Sequence, residues 1–564
     1  MPRSLLSRDR ILELLPVPVT DPAFDDLLFA SKAEVEGREG DTLTVSVTPD
    51  RLDLLSEGGL ALYLAGALEV ERGIPKTKGP HRSPPESSFQ VDPSVDPIRP
   101  WIAGALVRAP DDRGIDAGTL AEAIRFQEVL HATVGRDRRA ASLGIYPWER
   151  LASPVRYSLE PLSDVRFVPL DGEEEVTAAR FFTEHPLAAR YGTLGRSGDR
   201  CLVLRDRQGT VLSLPPILNG RAGGEARVGD RELLLEATGT RERSVREAIG
   251  LLQVVFVARH WSVHPVTVEA AGRPADDGRT LIAPRSVDLP SSIVRDIAGE
   301  SLSSAEVERR LSRTRLGPRT MDGGWRVEVP PWRPDVLTAV DLAEDVVLAA
   351  AIVPERGIVP PSAIRGRRLE EIRFRRQVAS DLLGLGFAAP HTPLLVSLSS
   401  AARVGGPEPI RMQNPVSNEF AFVRDRLLLS HLDVLAHNTR HAYPQRFAEV
   451  GPVVVRDSAA EAGAATRYHA GLVVADPAAG FAEAAALVEY LLRRLDVGAV
   501  REPIELTTTI PGRAARARVA GEAVAEMGEL HPRILAELGV PVPVAWAELD
   551  LSALWPLVAR RDTD

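Results

Sequence analysis

Apolar residues at Leu6, Ile11, Leu14 and Leu15 are spaced for an amphipathic helix at the start of the chain. The pattern then changes to strict alternation at Leu43, Val45 and Val47, which predicts a strand that Pro49 stops. A helix follows with Leu60, Leu64 and Leu68 on one face. Further along, Leu120, Ile124, Leu130 and Val134 mark another helix, and residues 201–204 and 210–214 read as strands turned at Gln208-Gly209. Ser303 and Glu306 form a capping-box pattern ahead of Val307 and Leu311. Leu369, Ile372, Val378 and Leu382 predict one more helix, after which strands and helices alternate to the end.

Punctuation divides these elements into segments. Residues 73–88 are rich in Pro, Lys, Gly and Ser and read as a linker, and Pro330-Pro331 and Pro360-Pro361 interrupt the chain again. The resulting segments are 1–75, 89–268, 269–361 and 365–564, and their mixed patterns predict an α+β multidomain protein.

Composition agrees. With 564 residues the chain is too long for one hydrophobic core, and its 44% hydrophobic and 26% charged content suits globular domains. No apolar run approaches the roughly 18 residues of a membrane span, and Met-Pro-Arg-Ser-Leu-Leu lacks a secretory signal core. The expectation is a cytoplasmic protein with no membrane partner. A single cysteine, Cys201, excludes an intrachain disulfide and a cysteine-built zinc site. The net charge of −10 argues against a general nucleic-acid coat, but basic tracks at 136–139 and 365–376 are suited to local phosphate contacts or to solvated faces.

The common nucleotide motifs are missing. There is no Gly-x4-Gly-Lys-Ser/Thr loop, no Gly-x-Gly-x-x-Gly after a strand, no His-Glu-x-x-His and no Gly-x-Ser-x-Gly. Arg446-Phe-Ala-Glu449 is one residue too long for the Arg-x-Glu strand of class II aminoacyl-tRNA synthetases. What stands out is acidic: Asp335, Asp341, Glu344 and Asp345. If a helix begins near Asp341, the last three are spaced i, i+3, i+4. An all-oxygen set of this kind suits magnesium better than zinc; the alternative is a group of acids favoured by a helix N-terminus, with no metal.

Pro330-Pro-Trp-Arg-Pro-Asp335, followed after five residues by Asp341-Leu-Ala-Glu-Asp345, resembles a segment of the beta subunits of two-subunit phenylalanyl-tRNA synthetases. Collinear words agree: Val47-Thr-Pro-Asp-Arg-Leu-Asp-Leu-Leu-Ser56, Gln413-Asn-Pro-Val-Ser417, Val423-Arg-Asp-Arg-Leu-Leu428, Pro444-Gln-Arg-Phe-Ala-Glu-Val-Gly451 and Gly528-Glu-Leu-His-Pro532. Asp50 and Leu52 depart from the family's asparagine and proline. The ending soon after Leu551-Ser-Ala-Leu-Trp555 fits the archaeal and eukaryotic type.

The resemblance implies an N-terminal α/β domain (1–75), a tRNA-editing domain (89–268) and a helix-rich domain carrying the metal segment (269–361). It implies a C-terminal class II synthetase-like antiparallel sheet domain lacking the ATP site (365–564). It further implies a magnesium ion at Asp335, Asp341, Glu344 and Asp345, and an alpha subunit that carries ATP, phenylalanine and ester formation in an alpha2-beta2 heterotetramer acting on tRNA(Phe). No catalytic residue is assigned to this chain.

An apolar pocket for phenylalanine rejects tyrosine by only about a hundredfold, so a second, hydrolytic site is the expected remedy. Segment 89–268 resembles the family's editing domain at Gln127-x-x-Leu-His131, Gly135-Arg136, Phe167-Val-Pro-Leu170, Glu184-His-Pro186, Leu212-Ser-Leu-Pro-Pro-Ile217 and Ala237-Thr-Gly-Thr240. The resemblance places Leu202, Ser213, Pro215, Asn219, Glu236 and Thr238 in the editing pocket, with Ser213 and Thr238 positioning substrate and water. Glu236 replaces the family's usual aspartate and is one methylene longer. The alternative is a stand-alone tRNA-binding or scaffolding protein derived from such a subunit.

Overall fold

The computed structural model describes residues 1–75, 87–349, 364–404 and 409–559, so most of the expected linker and Pro360-Pro361 lie outside the described residues. The chain forms two compact units, Met1–Ile358 and Val359–Asp564.

In the first unit, strands β1 (Arg3–Ser7), β2 (Ala33–Glu39) and β3 (Thr42–Val47) form an antiparallel sheet in the order β1-β3-β2. Helices α1 (Arg8–Leu14), α2 (Asp21–Ala30) and α3 (Glu57–Ala67) accompany it. The alternation at Leu43, Val45 and Val47 is the central strand, fully buried on that face. Two expectations are corrected. The chain opens as a strand, because Leu6 lies opposite Leu43 on β3; α1 starts only at Arg8, where Ser7 caps it. The sheet is antiparallel, so the module is α+β rather than α/β.

Residues 87–270 build two large sheets and a two-stranded one (Arg166–Phe167 with Val176–Thr177); β4 (Ser88–Val91), β5 (Trp101–Arg108), β6 (Ala141–Pro147) and β7 (Val155–Pro161) belong to the large ones. The four-stranded sheet runs Ser262–Pro265, β5, Glu232–Gly239, β6, and β6 is its free edge. The other sheet follows the order Leu218–Asn219, Val211–Leu214, Arg200–Arg205, β7, β4, Thr267–Ala270. Their facing sides share a core of Phe89, Ile102, Leu106, Tyr146, Tyr157, Leu202 and Leu234. The opposite side of the four-stranded sheet buries Ala105, Val107, Leu235 and Ala237 with residues of α4 (Ala117–Ala132) and the helix Glu242–Val257.

Residues 285–349 contain a further three-stranded antiparallel sheet, Arg285–Pro290, Gly324–Val329 and Gly317–Met321. Helices Ser291–Ala298, Ser304–Arg313 and Ala339–Leu348 contribute Val294, Val307, Leu311, Leu342 and Val346 to its core. The module expected to be helix-rich is thus α+β. Ser303 caps its helix by accepting the Glu306 N–H, but the Glu306 carboxylate turns to Arg309 and Arg310 and completes no box.

The second unit is built on six antiparallel strands in the order Gln445–Arg456, Ala464–Ala475, Val544–Asp550, Glu522–Leu530, Thr509–Val519, Val500–Pro503. One core joins the sheet to helices Glu370–Gly384, Phe481–Arg494 and Leu551–Ala559; another joins it to Leu428–His437 and Pro532–Leu538. Residues three apart on a strand face opposite ways. Glu449 is accordingly buried against Arg424 at 3.0 Å, whereas Arg446 stacks on Phe387 and pairs with Glu483 at 3.3 Å. Among the described residues no helix is long and apolar enough to cross a membrane.

Candidate functional site

A cavity of about 310 Å³ opens beside the free edge of β6. Leu120, Ile124, Gln127, Glu128 and His131 of α4 line one side, and residues 213–219 of the other sheet line the facing side. Most of the lining is aliphatic. Polar groups stand among it, Gln127, Glu128, His131, Arg138, Ser213 and Asn219 included, and Glu236 on the central strand is the most deeply buried acid of the set.

Register explains how a carboxylate comes to be there. Glu236 pairs with Gly104 on β5 and Gly144 on β6, so neither neighbouring strand puts a side chain beside it. A Cβ at Gly144 would collide with the Tyr146 hydroxyl, and one at Gly104 would sit 2.6 Å from the Phe89 ring. The bare glycine lets Tyr146 reach over its own strand. Its hydroxyl donates to Glu236 Oε2 at 2.9 Å and lies 2.9 Å from Ser213 Oγ. Because the phenol has one proton, Ser213 is the donor in the second bond while Tyr146 serves Glu236.

The other carboxylate oxygen, Glu236 Oε1, is buried and has no hydrogen-bond partner. Burial pushes the Glu236 pKa up to about 7, opposed by the Tyr146 hydrogen bond, the nearby Arg99 guanidinium and the Thr238 hydroxyl. Burial likewise raises Tyr146 well above the usual phenol range, so it stays a donor. Glu236 therefore offers a buried acceptor oxygen with no partner, a position where a hydroxyl gains much and a hydrocarbon gains nothing.

A second polar group frames the side wall. His131 Nε2 accepts the Leu143 N–H at 2.8 Å, which leaves the proton on Nδ1 facing Glu128 at 3.1 Å. Burial lowers the His131 pKa. Arg138 donates to the carbonyls of Pro216 and Ile217 at 3.2 and 2.9 Å and to Glu128 at 2.9 Å, and it stacks on Tyr191. Although burial acts the other way, His131 and Arg138 bring the Glu128 carboxyl down to about 2. Arg136, Asp137 and Arg138 are all left-handed, with φ of 50°, 55° and 63°. Such positions cost roughly 1–2 kcal/mol each; Arg99 on the Arg138 carbonyl and Tyr191 on Asp137 help to hold the segment. The basic track at 136–139 is thus divided: Arg138 is built into the wall, while Arg136 and Arg139 face solvent.

Four of the six expected pocket residues, Ser213, Pro215, Asn219 and Glu236, line this cavity. Two do not. Leu202 points into the core between the sheets, and Thr238 is fully buried, accepting from Arg99 Nε at 3.1 Å and lying 3.2 Å from Ser142 Oγ. Both sit behind the site and brace it. The sequence reading missed Tyr146, Arg138 and Arg99. The first was signalled by Gly144 and Tyr146 sharing one strand face; the others carry no local signal.

The acidic segment also departs from expectation. Asp335 and Asp345 are clamped by the buried Arg333, whose Nη2 lies 2.7 and 2.8 Å from them. Arg333 overcomes the effect of burial on Asp335, whose pKa is lowered, but not on Asp345, which burial keeps raised. Asp341 accepts the N–H groups of Leu337 and Thr338 at 2.8 and 2.7 Å, and Glu344 pairs with Lys32 at 2.8 Å. Among the described residues no three acidic, histidine or cysteine side chains converge as a metal group would need. As arranged, these four do not converge as a magnesium cage, and each has at least one oxygen held by a protein donor.

Comparison with known proteins follows the same regions. Residues 287–350 match the tRNA synthetase B5 domain and residues 357–551 the phenylalanyl tRNA synthetase beta chain CLM domain. The chain is 31% identical to the phenylalanine–tRNA ligase beta subunit of Halorubrum lacusprofundi, over 95% of this chain and 96% of that protein. It is 32% identical to the same subunit of Halobacterium salinarum (93% and 95% covered), and 28% identical to that of Thermococcus gammatolerans (98% and 99% covered). The crystal structure of an N-terminal fragment of the phenylalanyl-tRNA synthetase beta subunit from Pyrococcus horikoshii shares the fold. It aligns with a TM-score of 0.57 and 24% identity, over 62% of this chain and 99% of the fragment.

Proposed function

The chain belongs to the family of phenylalanine–tRNA ligase beta subunits, and on that premise we propose that it serves an alpha subunit that attaches phenylalanine to tRNA(Phe), while its own cavity hydrolyses tyrosine wrongly joined to that tRNA. In this reading ATP and its magnesium act on the alpha chain, and the two subunits assemble as an alpha2-beta2 heterotetramer.

One observation carries the editing assignment: the unpartnered Glu236 Oε1 of a buried carboxylate that lines the cavity. A tyrosyl side chain fills the cavity and satisfies that oxygen with its hydroxyl, whereas phenylalanine leaves it buried and unpaired. Sites built to bond a hydroxyl discriminate far better than apolar pockets do. The longer acid is accommodated because Tyr146 holds Oε2, leaving Oε1 for the ligand. Ser213 donates to Tyr146 and turns its lone pairs to the cavity, where they orient the water that attacks the ester. Thr238 acts from behind through Arg99.

The test is Glu236→Ala in the complete alpha-beta complex. Hydrolysis of tyrosyl-tRNA should fall roughly 10- to 100-fold, the value of a hydrogen bond to a charged group, while slow hydrolysis of phenylalanyl-tRNA changes little. Equal rates for the parent and the variant on tyrosyl-tRNA would remove the assignment.

A further inference from the structure

The register of β6 leaves a second unfilled polar position beside the cavity, this one on the main chain. Thr240 N–H bonds to the Ala140 carbonyl, and the pairing places Ser142, Gly144 and Tyr146 opposite Thr238, Glu236 and Leu234. Main-chain groups alternate in direction along an antiparallel strand. The even-numbered residues of β6 therefore bond inward to the central strand, and the odd-numbered ones point off the edge.

Most of those outward N–H groups are accounted for. The Ala141 N–H bonds to the Gly135 carbonyl. The Leu143 N–H goes to His131, and its carbonyl accepts from Gln127 at 3.1 Å. Pro147 has no N–H to place. Ile145 remains: it is 4% exposed and lines the cavity, yet neither its N–H nor its carbonyl meets a partner among the described residues. Buried main-chain groups are rarely left in this state, because each costs about as much as a lost hydrogen bond.

We propose that the Ile145 main chain binds the α-amino ester end of the substrate, as an opposing residue would in an antiparallel pair. Its N–H donates to the ester carbonyl oxygen and its carbonyl accepts from the α-ammonium. An α-aminoacyl ester presents an acceptor and a donor on one carbon, the same complement that a strand residue offers its partner. The geometry also suits Glu236. That residue lies one strand inward, about 4.8 Å from β6, so a side chain whose hydroxyl reaches Glu236 passes β6 alongside the Tyr146 ring that covers Gly144, with its backbone at the edge. The Ile145 N–H thereby polarises the carbonyl that water attacks. The acyl C–O bond to the tRNA ribose then breaks, and the ribose oxygen leaves as a hydroxyl with a proton from that water, releasing the free amino acid. The ligand class is any L-α-aminoacyl ester; the hydroxyl preference comes from Glu236. The inference rests on reading the cavity as an aminoacyl-ester site.

Ile145→Pro removes the N–H at an outward edge position of the kind Pro147 already occupies, so the ladder to the central strand is kept. Ile145→Ala removes the side chain and keeps the N–H. In the alpha-beta complex, kcat/KM for tyrosyl-tRNA hydrolysis by the proline variant should fall at least about tenfold below that of the alanine variant. Equal values overturn the proposal. The parent protein supplies a second measurement that does not depend on the variant folding. An ester of tRNA with 3-(4-hydroxyphenyl)propionic acid, which lacks the ammonium, should be hydrolysed at least about tenfold more slowly than tyrosyl-tRNA; equal rates again overturn it. If Glu236→Ala impairs hydrolysis while both of these comparisons are flat, the cavity reading stands and only the Ile145 role fails. If Glu236→Ala is also without effect, the cavity reading itself fails.

Discussion

Two carboxylate groups of the first unit, the 335–345 segment and Glu236, differ in what they leave unfilled. Around Arg333, every acid of the 335–345 segment has a protein partner: Asp335 and Asp345 share one guanidinium, Asp341 caps a helix, and Glu344 holds Lys32. Arg51, also buried, adds its own pair with Asp53 at 2.8 Å. Around Glu236, by contrast, there is one carboxylate, no cation in contact with it, and one oxygen without a partner inside a cavity. Each acid of the denser cluster has a protein donor on at least one oxygen. The single acid keeps one buried oxygen with no partner. Ligand binding depends on residual hydrogen-bonding capacity facing open space, and the number of acids is a poor guide to it.

The largest effect should come from breaking the partnered set. Arg333→Met leaves Asp335 and Asp345 buried without their counter-ion and should destabilise the first unit by roughly 3–5 kcal/mol, read by denaturant unfolding of the complex and the free chain. A loss under about 1 kcal/mol would mean the acids are solvated or held by something else.

The open set should show itself through pH. The folded-state pKa of Glu236 is raised from its ordinary 4.5 to about 7, so the fold favours the protonated form. Its stabilising contribution is complete below about 4.5 and is lost as pH rises to 7. Relative to Glu236→Gln, the parent protein should lose on the order of 3 kcal/mol across that window and nothing further above it. Over the same range, the ratio of parent to Glu236→Gln rates on tyrosyl-tRNA should rise with an inflection near pH 7, as the carboxylate becomes a full acceptor. A flat ratio from pH 5.5 to 8.5 would show that Glu236 does not titrate in the site.

The smallest effect belongs to the exposed edge of the partnered set. Glu344→Gln breaks an ion pair that is half open to solvent and should cost at most about 1 kcal/mol. Millimolar magnesium or a chelator should leave the melting temperature of parent and variant alike unchanged. A magnesium-dependent stabilisation abolished by Glu344→Gln would reinstate the ion and remove the contrast between the two sets.

Much of the fold could be read before the structure. The alternation at Leu43, Val45 and Val47, the helix face at Leu60 and Leu64, and the hairpin turned at Gln208-Gly209 are all present, because local periodicity reports which face of an element is buried. The first strand was not legible: Leu6 suits either a helix or a strand, and only its pairing with Leu43 decides. The site divides in the same way. Ser213 and Pro215 of the Leu212–Ile217 word line the cavity, as do Asn219 and Glu236, whereas Thr238 of the Ala237–Thr240 word and Leu202 lie behind it. Motif membership does not say which side of a strand carries the ligand.

The sequence by itself determined the family, the order of the modules, the acid at position 236 and the absence of familiar nucleotide motifs, since these are properties of residue identity and spacing. Only the tertiary structure decided which acids are free. Arg333 and Asp345 are twelve positions apart, and Lys32 reaches Glu344 across most of the first unit. Tyr146 meets Glu236 only because Gly144 leaves room between paired strands. Charge compensation and hydrogen-bond saturation are settled by contacts between distant segments, and no local pattern in the chain encodes them.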